Sequence, residues 1–245
     1  MRRESRPFCR EFRPHQRFPG APCWARFCGP AWLPVLAIET GVGQLQAERA
    51  MSWLLSRPKL GNVAYRPKVV VAAGFCGALR GDVKSGDLIL ATEVIDGATN
   101  TTWPTSWPGD LPPGKWDPPL HRGRVVTAAK LAGSLDEKQS LFKEFDAVAV
   151  DMESATLAQL CHQAGVPFGC LRVVLDDAHT PISPKLARLM SGGRASPWRL
   201  ALALLSSPTL LGELWRLAGQ SRMAAEPLGK GLGELLTLTL PWMQS

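Results

Sequence analysis

The run from Lys68 to Gly74, KVVVAAG, is apolar at every position between its lysine and the glycine that closes it. A strand with one wet face alternates apolar and polar residues, whereas a continuous β-branched run suits a strand covered on both faces, as in parallel sheets flanked by helices. The pattern returns from Asp87 to Val94 (DLILATEV), Gly123 to Ala128 (GRVVTA), Ala147 to Val150 (AVAV) and Pro167 to Leu175 (PFGCLRVVL). Helical stretches accompany these runs. Gln44 to Leu55 places Leu45, Ala47, Ala50, Met51 and Leu54 at helical spacing, and Glu153 to Gln163 follows the fourth run. Strands alternating with helices predict an α/β fold with a largely parallel core.

The flanks read less regularly. Glu4 to Phe12 suggests a short helix, Arg13 to Pro30 an antiparallel ribbon, and Trp32 to Thr40 a strand ending at the glycine turn Gly41–Gly43. Ala98 to Pro119 is rich in proline, carries Trp103, Trp107 and Trp116, and has no period, so it is expected to be a long ordered loop of the kind that often serves function. Pro197 to Leu217 and Leu228 to Leu238 are expected to form two helices. At 245 residues, with no internal repeat, the chain is expected to fold as a single domain, 1–245.

Charge is uneven: of the net +7, most falls in residues 1–30, where seven arginines face Glu4 and Glu11. Such a run is more often a solvated face than a nucleic-acid site. The six cysteines form no CxxC pair and adjoin no histidine cluster, which argues against zinc. Cys76, Cys161 and Cys170 sit in apolar stretches, as buried free thiols do in a reducing compartment. The amino terminus has no apolar run behind its basic residues, and the uncharged stretch Leu200–Gly212 is too short to span a bilayer. A cytoplasmic location is expected.

Candidate functional residues gather where strands end, the usual place for ligands in such sheets. Gly74, Asp151 and Asp176 each follow a buried run, and Glu153 stands two residues past Asp151. On spacing alone Asp151 could cap the following helix and Glu153 favour its dipole, or the carboxylates could line a site.

The stretch VAVDMESATLAQLCHQAGVPFGCLRVVLDDA, Val148 to Ala178, resembles the signature of the purine nucleoside phosphorylase/nucleosidase superfamily, most closely its methylthioadenosine/S-adenosylhomocysteine nucleosidase branch. AAGFCGAL (Ala72–Leu79), GDVKSGDLIL (Gly81–Leu90) and TGVGQLQAERAMSWLL (Thr40–Leu55) resemble its other motifs in matching order. The resemblance implies a nucleoside phosphorylase-like α/β fold, a mixed central sheet flanked by helices, that cleaves the N-glycosidic bond of an adenine-type nucleoside or adenosyl conjugate. Glu153 then falls on the ribose-binding glutamate, Met152 on the methionine packed beside the sugar, and Asp176 on the aspartate that protonates the base. Arg172 falls on the arginine that holds these acids, Gly74 on the cleft-lining strand end, and Leu131 on the position of an aromatic that stacks on the base. No cofactor or metal is implied; the partners are a nucleoside substrate and a second copy of the chain, with no nucleic acid.

Cleavage of this bond builds positive charge on the ribose and negative charge on the base, so it suits one protonated and one ionised acid. Two departures from the family bear on the attacking group. Ala72 and Phe75 stand where phosphorolytic relatives carry an arginine and a serine for phosphate, so water is favoured over phosphate. Leu175 replaces a serine that would partner Asp176. At the amino terminus MRRE fits the family's A-M-x-x-E pattern with Glu4 as the glutamate that orients water, so the core strand that normally precedes this pattern is missing and a gene start set too late is expected. The leucine-rich tail is compatible with contact to a lipid and with a subgroup associated with hopanoid synthesis, in which an adenosyl-lipid loses its adenine. The alternatives are a phosphorolytic enzyme and a catalytically inactive nucleoside-binding relative.

Overall fold

The computed structural model describes residues 5–12, 16–18, 20–29, 35–56, 58–60, 63–107, 116–183 and 208–243. Helix α1 (Ser5–Glu11) leads into β1 (Gln16–Arg17), β2 (Trp24–Cys28) and β3 (Val35–Glu39), which pair antiparallel in chain order. Helix α2 (Gln44–Leu55) follows, then a small hairpin of β4 (Lys59–Leu60) and β5 (Val63–Ala64). The ribbon and α2 match the sequence expectation. Ala47, Ala50, Met51 and Leu54 are buried as the helical period requires, but Leu45, in the first turn, is 57% exposed.

The central sheet comprises β6 (Val70–Ala78), β7 (Leu88–Asp96), β8 (Thr102–Pro104), β9 (Leu120–Thr127), β10 (Ala147–Asp151) and β11 (Phe168–Asp176). Helices α3 (Leu135–Phe145) and α4 (Ser154–Gln163) lie between its later strands, and α5 (Pro208–Met243) ends the described chain. The order β11-β6-β10-β9-β7-β8 is joined by an extra β11–β7 pairing, so five strands close into a circuit and β8 hangs on its rim. Contacts β11–β6, β10–β9 and β7–β9 are parallel, whereas β10–β6 and β11–β7 are antiparallel. The sheet is mixed, as the resemblance implied. The missing first strand has no counterpart among the described residues: there β3 pairs with β2 alone, and β6 from Val70 to Cys76 pairs with β11 alone.

Apolar side chains fill both sides of this sheet. Ala72, Cys76, Ile89, Cys170 and Val174 face α2 and α4, and Leu88, Leu90, Leu171 and Val173 face Ala224, Leu228 and Leu235 of α5. The continuous apolar runs of the sequence reflect this double coverage.

Three elements differ from expectation. The segment expected to be loop from Ala98 contributes β8, whose Thr102–Pro104 pairs with β7. The two carboxy-terminal helices are, over the described residues, one helix that runs through Pro227, while residues 197–207 of the first lie outside them. Helix α3 was not anticipated at all. Its start carries a capping box: the Ser134 hydroxyl accepts from the Glu137 amide, and the Glu137 carboxylate accepts from the Ser134 amide. The pattern S-x-x-E at Ser134–Glu137 is the sequence signal for it. Among the described residues no helix is long and apolar enough to cross a membrane.

Candidate active site

Asp151 ends β10, and a carboxylate buried there would cost several kcal/mol without partners, by about the penalty for an unpaired charge. It has four donors. Thr127 Oγ1 reaches its Oδ1 at 2.7 Å, while Ser154 Oγ at 2.5 Å, the Ser154 amide at 3.2 Å and Arg172 Nη2 at 2.7 Å reach Oδ2. Asp151 therefore closes the start of α4 and pairs with Arg172. Burial alone would lower the Arg172 pKa, but the adjoining Asp151 charge reverses this and raises it, so the guanidinium is permanently charged.

Arg172 in turn explains Gly74. Contrary to the strand-end expectation, Gly74 lies inside β6, opposite Arg172 of β11, and a Cβ there would overlap Arg172 Nη1. The strand continues past the β-branched run through FCGA, and Gly77 is the glycine at its end. Gly77 sits opposite both Val150 of β10 and Asp176 of β11, where a Cβ would come within 3.1 Å of Asp176 Oδ2. Three strands thus converge at Gly77.

A small cavity, open to solvent, lies at this convergence. Its wall is formed by Gly77, Val150, Asp151, Met152 and Asp176, with Lys130, Leu131 and Ala132 from the β9–α3 turn. Of the residues singled out in the sequence, Asp151, Asp176, Met152 and Leu131 border the cavity. Arg172 and Gly74 lie behind it, joined to it through Asp151. Phe75 packs with Leu171, Val173 and the α5 leucines on the other side of the sheet. Glu4 lies outside the described residues.

Glu153 holds the first position before α4, and its Oε1 accepts from the Gly43 amide at 2.7 Å, tying the glycine turn before α2 to the end of β10. Burial, with the neighbouring Asp151 charge, raises its pKa against the opposing pull of Arg172. The Asp176 carboxyl is likewise raised, by burial first, while Lys138 pulls it down. Both acids keep their protons to higher pH than a solvated carboxyl does. Burial also raises the thiols of Cys76 and Cys170 beside this site, so neither presents a thiolate. Among the described residues no three His, Cys, Asp or Glu side chains converge to hold a metal ion.

Lys138 is the residue that the sequence reading passed over. It is 1% exposed, and its Nζ donates to Asp176 Oδ2 at 2.5 Å, to the Asp177 carbonyl at 2.7 Å and to the Thr180 carbonyl at 3.3 Å. Leu175 removes the expected serine partner of Asp176, and a lysine from α3 supplies a charged one.

Residues 31–189 match the sequence model of the phosphorylase superfamily. The chain is similar to the 5′-methylthioadenosine/S-adenosylhomocysteine nucleosidase of an Exiguobacterium species, with 26% identity over 171 residues covering 60% of this chain and 69% of that protein. The enzyme of the same name from Staphylococcus epidermidis is 27% identical over 165 residues, 59% of this chain and 69% of that protein. In fold, the chain superposes on the Neisseria meningitidis 5′-methylthioadenosine/S-adenosylhomocysteine nucleosidase in complex with methylthio-immucillin-A with a TM-score of 0.69 and 18% identity, covering 97% of this chain and 96% of that one. It superposes on the futalosine hydrolase of Helicobacter pylori with a TM-score of 0.68 and 17% identity, over 97% and 94% of the two chains.

Proposed function

The chain belongs to the phosphorylase superfamily, and from that premise we propose that it cleaves the N-glycosidic bond of an adenine-type nucleoside with water as the attacking group. The observation that carries this reading is the cavity at Gly77, with the buried carboxyl of Asp176 and Met152 in one wall and Glu153 at the adjoining helix start. Asp176 donates a proton to a ring nitrogen of the base as the bond to the ribose breaks and its electron pair passes to the base. Glu153 anchors the ribose hydroxyls and, ionised, stabilises the cationic sugar. Met152 packs against the sugar, and Leu131 contributes an apolar wall for the base. Water adds to the anomeric carbon and releases a proton, which restores the acid.

Water is favoured because the positions that would hold phosphate cannot do so. Ala72 is buried in the core, and Phe75 packs toward α5. An anion entering this site finds no charge-assisted donor from either. The test is product analysis with 5′-methylthioadenosine, S-adenosylhomocysteine and adenosine, with and without phosphate. Free ribose or a thioribose product is expected at a rate independent of phosphate; a ribose 1-phosphate whose formation tracks phosphate would refute hydrolysis. Asp176→Asn should lower kcat by about two to four orders of magnitude, the range for a lost general acid. Near-normal turnover in that variant removes Asp176 from the mechanism.

A further inference from the structure

We propose that Lys138 is a positioning residue for the reaction: clamped by three acceptors, its ammonium fixes Asp176 through one carboxyl oxygen and sets the pH at which that acid gives up its proton. The inference rests on the reading of Asp176 as the proton donor. Its basis is geometric. An ammonium has three protons, and Lys138 Nζ has three oxygen acceptors, in Asp176, Asp177 and Thr180. All three lie between Asp176, the last residue of β11, and Thr180, so α3 grips the segment that carries the acid. Asp176 Oδ2 is taken by this contact. Oδ1 accepts no hydrogen bond among the described residues, and Asp176 borders the cavity, so Oδ1 is the oxygen available to a substrate.

A lysine buried to 1% is rarely tolerated unless paired. Its charge is therefore part of the design of this wall, and it acts on Asp176 at close range in a poorly solvated place. Other charged groups face Asp176 from its surroundings. Arg216 of α5 favours the ionised carboxylate, and Asp177 opposes it. Arg216 is exposed, and Asp177 accepts from the Ser85 amide at 2.5 Å. Across the cavity stand Lys130, which is exposed, and Asp151, which is neutralised by Arg172. From β6 the Cys76 thiol adds no charge while protonated. Among the described residues, Lys138 is the buried cation in direct contact with the acid.

The sign of the effect follows. Burial holds the proton on Asp176 and Lys138 helps to release it. Removing the ammonium takes away the largest pull against burial and leaves that of the exposed Arg216, so Asp176 should stay protonated to higher pH. Without the grip of α3 it should also be less well placed.

The test follows the protonated-carboxyl infrared band of Asp176 against pH, identified by its loss in Asp176→Asn. In Lys138→Met and Lys138→Gln the midpoint of that band should move up by about 1 to 3 pH units, the usual effect of an adjoining opposite charge. The alkaline limb of kcat/KM for 5′-methylthioadenosine should move with it, and the plateau kcat should fall more than KM changes. A midpoint unchanged in folded variants reduces Lys138 to a structural clamp and overturns the proposal. Should neither variant fold, the nitrogen-15 resonance of the Lys138 ammonium in the unaltered protein must shift with the Asp176 titration and lose that shift in Asp176→Asn. An ammonium resonance indifferent to Asp176 also overturns it. If no nucleoside is cleaved, the proposed reaction fails while the infrared and nitrogen arms still decide the role of Lys138.

Discussion

Glu153 is harder to ionise in the folded protein than in the unfolded chain, because burial and the Asp151 charge both raise its pKa above the usual 4.5. The linkage has a definite sign. Folding is most favoured, as far as this group is concerned, while Glu153 is protonated in both states, and stability is lost as pH rises from about 4.5 through the higher folded value. Glu153→Gln keeps an oxygen to accept from the Gly43 amide and removes the titration. The variant should melt higher than the parent at neutral pH, lose that advantage near about pH 4, and lose activity throughout. A melting-temperature difference that does not change with pH would mean that Glu153 is not ionised against a burial cost. Gly74 gives a second residue-scale expectation. Gly74→Ala places a methyl on the Arg172 guanidinium, which Ser154 and Asp151 hold on its other side. Displacing it should cost about 3–5 kcal/mol in urea unfolding, the range for breaking a buried ion pair. Glu153 and Asp176 could be found from motif spacing, since DMES and RVVLDDA carry them at fixed points. Lys138 could not, because a lysine among polar neighbours looks solvated until the helix that turns it inward is known. Gly74 was seen, but the β-branched run before it ends sooner than the strand does, so its place in β6 was missed.

At the scale of elements, α5 shows how close contact is built from small residues. Gly229 packs on α1, where an added Cβ would lie 2.7 Å from the Phe8 amide nitrogen and from Pro7 Cβ, and Gly231 packs on Leu88 of β7. Gly219, in the same helix, has nothing within 4 Å of an added Cβ. Alanine is the better helix former by about 1 kcal/mol, so Gly219→Ala should stabilise the protein by up to that amount. Gly229→Ala should instead destabilise it by about 1–3 kcal/mol, because backbone cannot yield as a side-chain tip can. Opposite signs in denaturant unfolding support this docking of α5 on α1; stabilisation by both would refute it. The sequence pattern puts a break between Leu217 and Leu228, yet α5 runs through it and through Pro227, which removes a helix amide and crowds the preceding turn. Packing against the sheet outweighs that local penalty: Ala224 and Leu228, on either side of the proline, are both buried in the cluster with Leu171 and Val173. Helix α3 fails in the opposite way. Its capping box is a strong local signal, but only Lys138 and Phe145 are buried along it, so the apolar period that reveals a helix is nearly absent.

For the whole molecule, the closed circuit of β6, β10, β9, β7 and β11 makes the sheet a wall shared by two apolar clusters. Ile89, Cys170 and Val174 belong to the cluster under α2 and α4, while their neighbours Leu88, Leu90, Leu171 and Val173 belong to the cluster under α5. Side chains alternate across a strand, so neither cluster can come apart without exposing the back of residues that the other needs. The termini reinforce this coupling, since α1 packs against α5 through Phe8, Phe12 and Leu236. We therefore expect the chain to behave as one domain. Unfolding followed by amide exchange of α5, under one cluster, should coincide with unfolding followed by amide exchange of α2, under the other. Removing residues 208–243 should not leave a stable remainder, because it bares Leu88, Leu90, Leu171 and Val173, each at most 1% exposed, along one face of the sheet. Burial of such side chains contributes about 1.5–3 kcal/mol each, and four of them rival the roughly 5–15 kcal/mol by which a domain is stable. A shortened chain that still unfolds cooperatively, or two separated transitions in the full chain, would mean that α5 and the sheet fold as independent units.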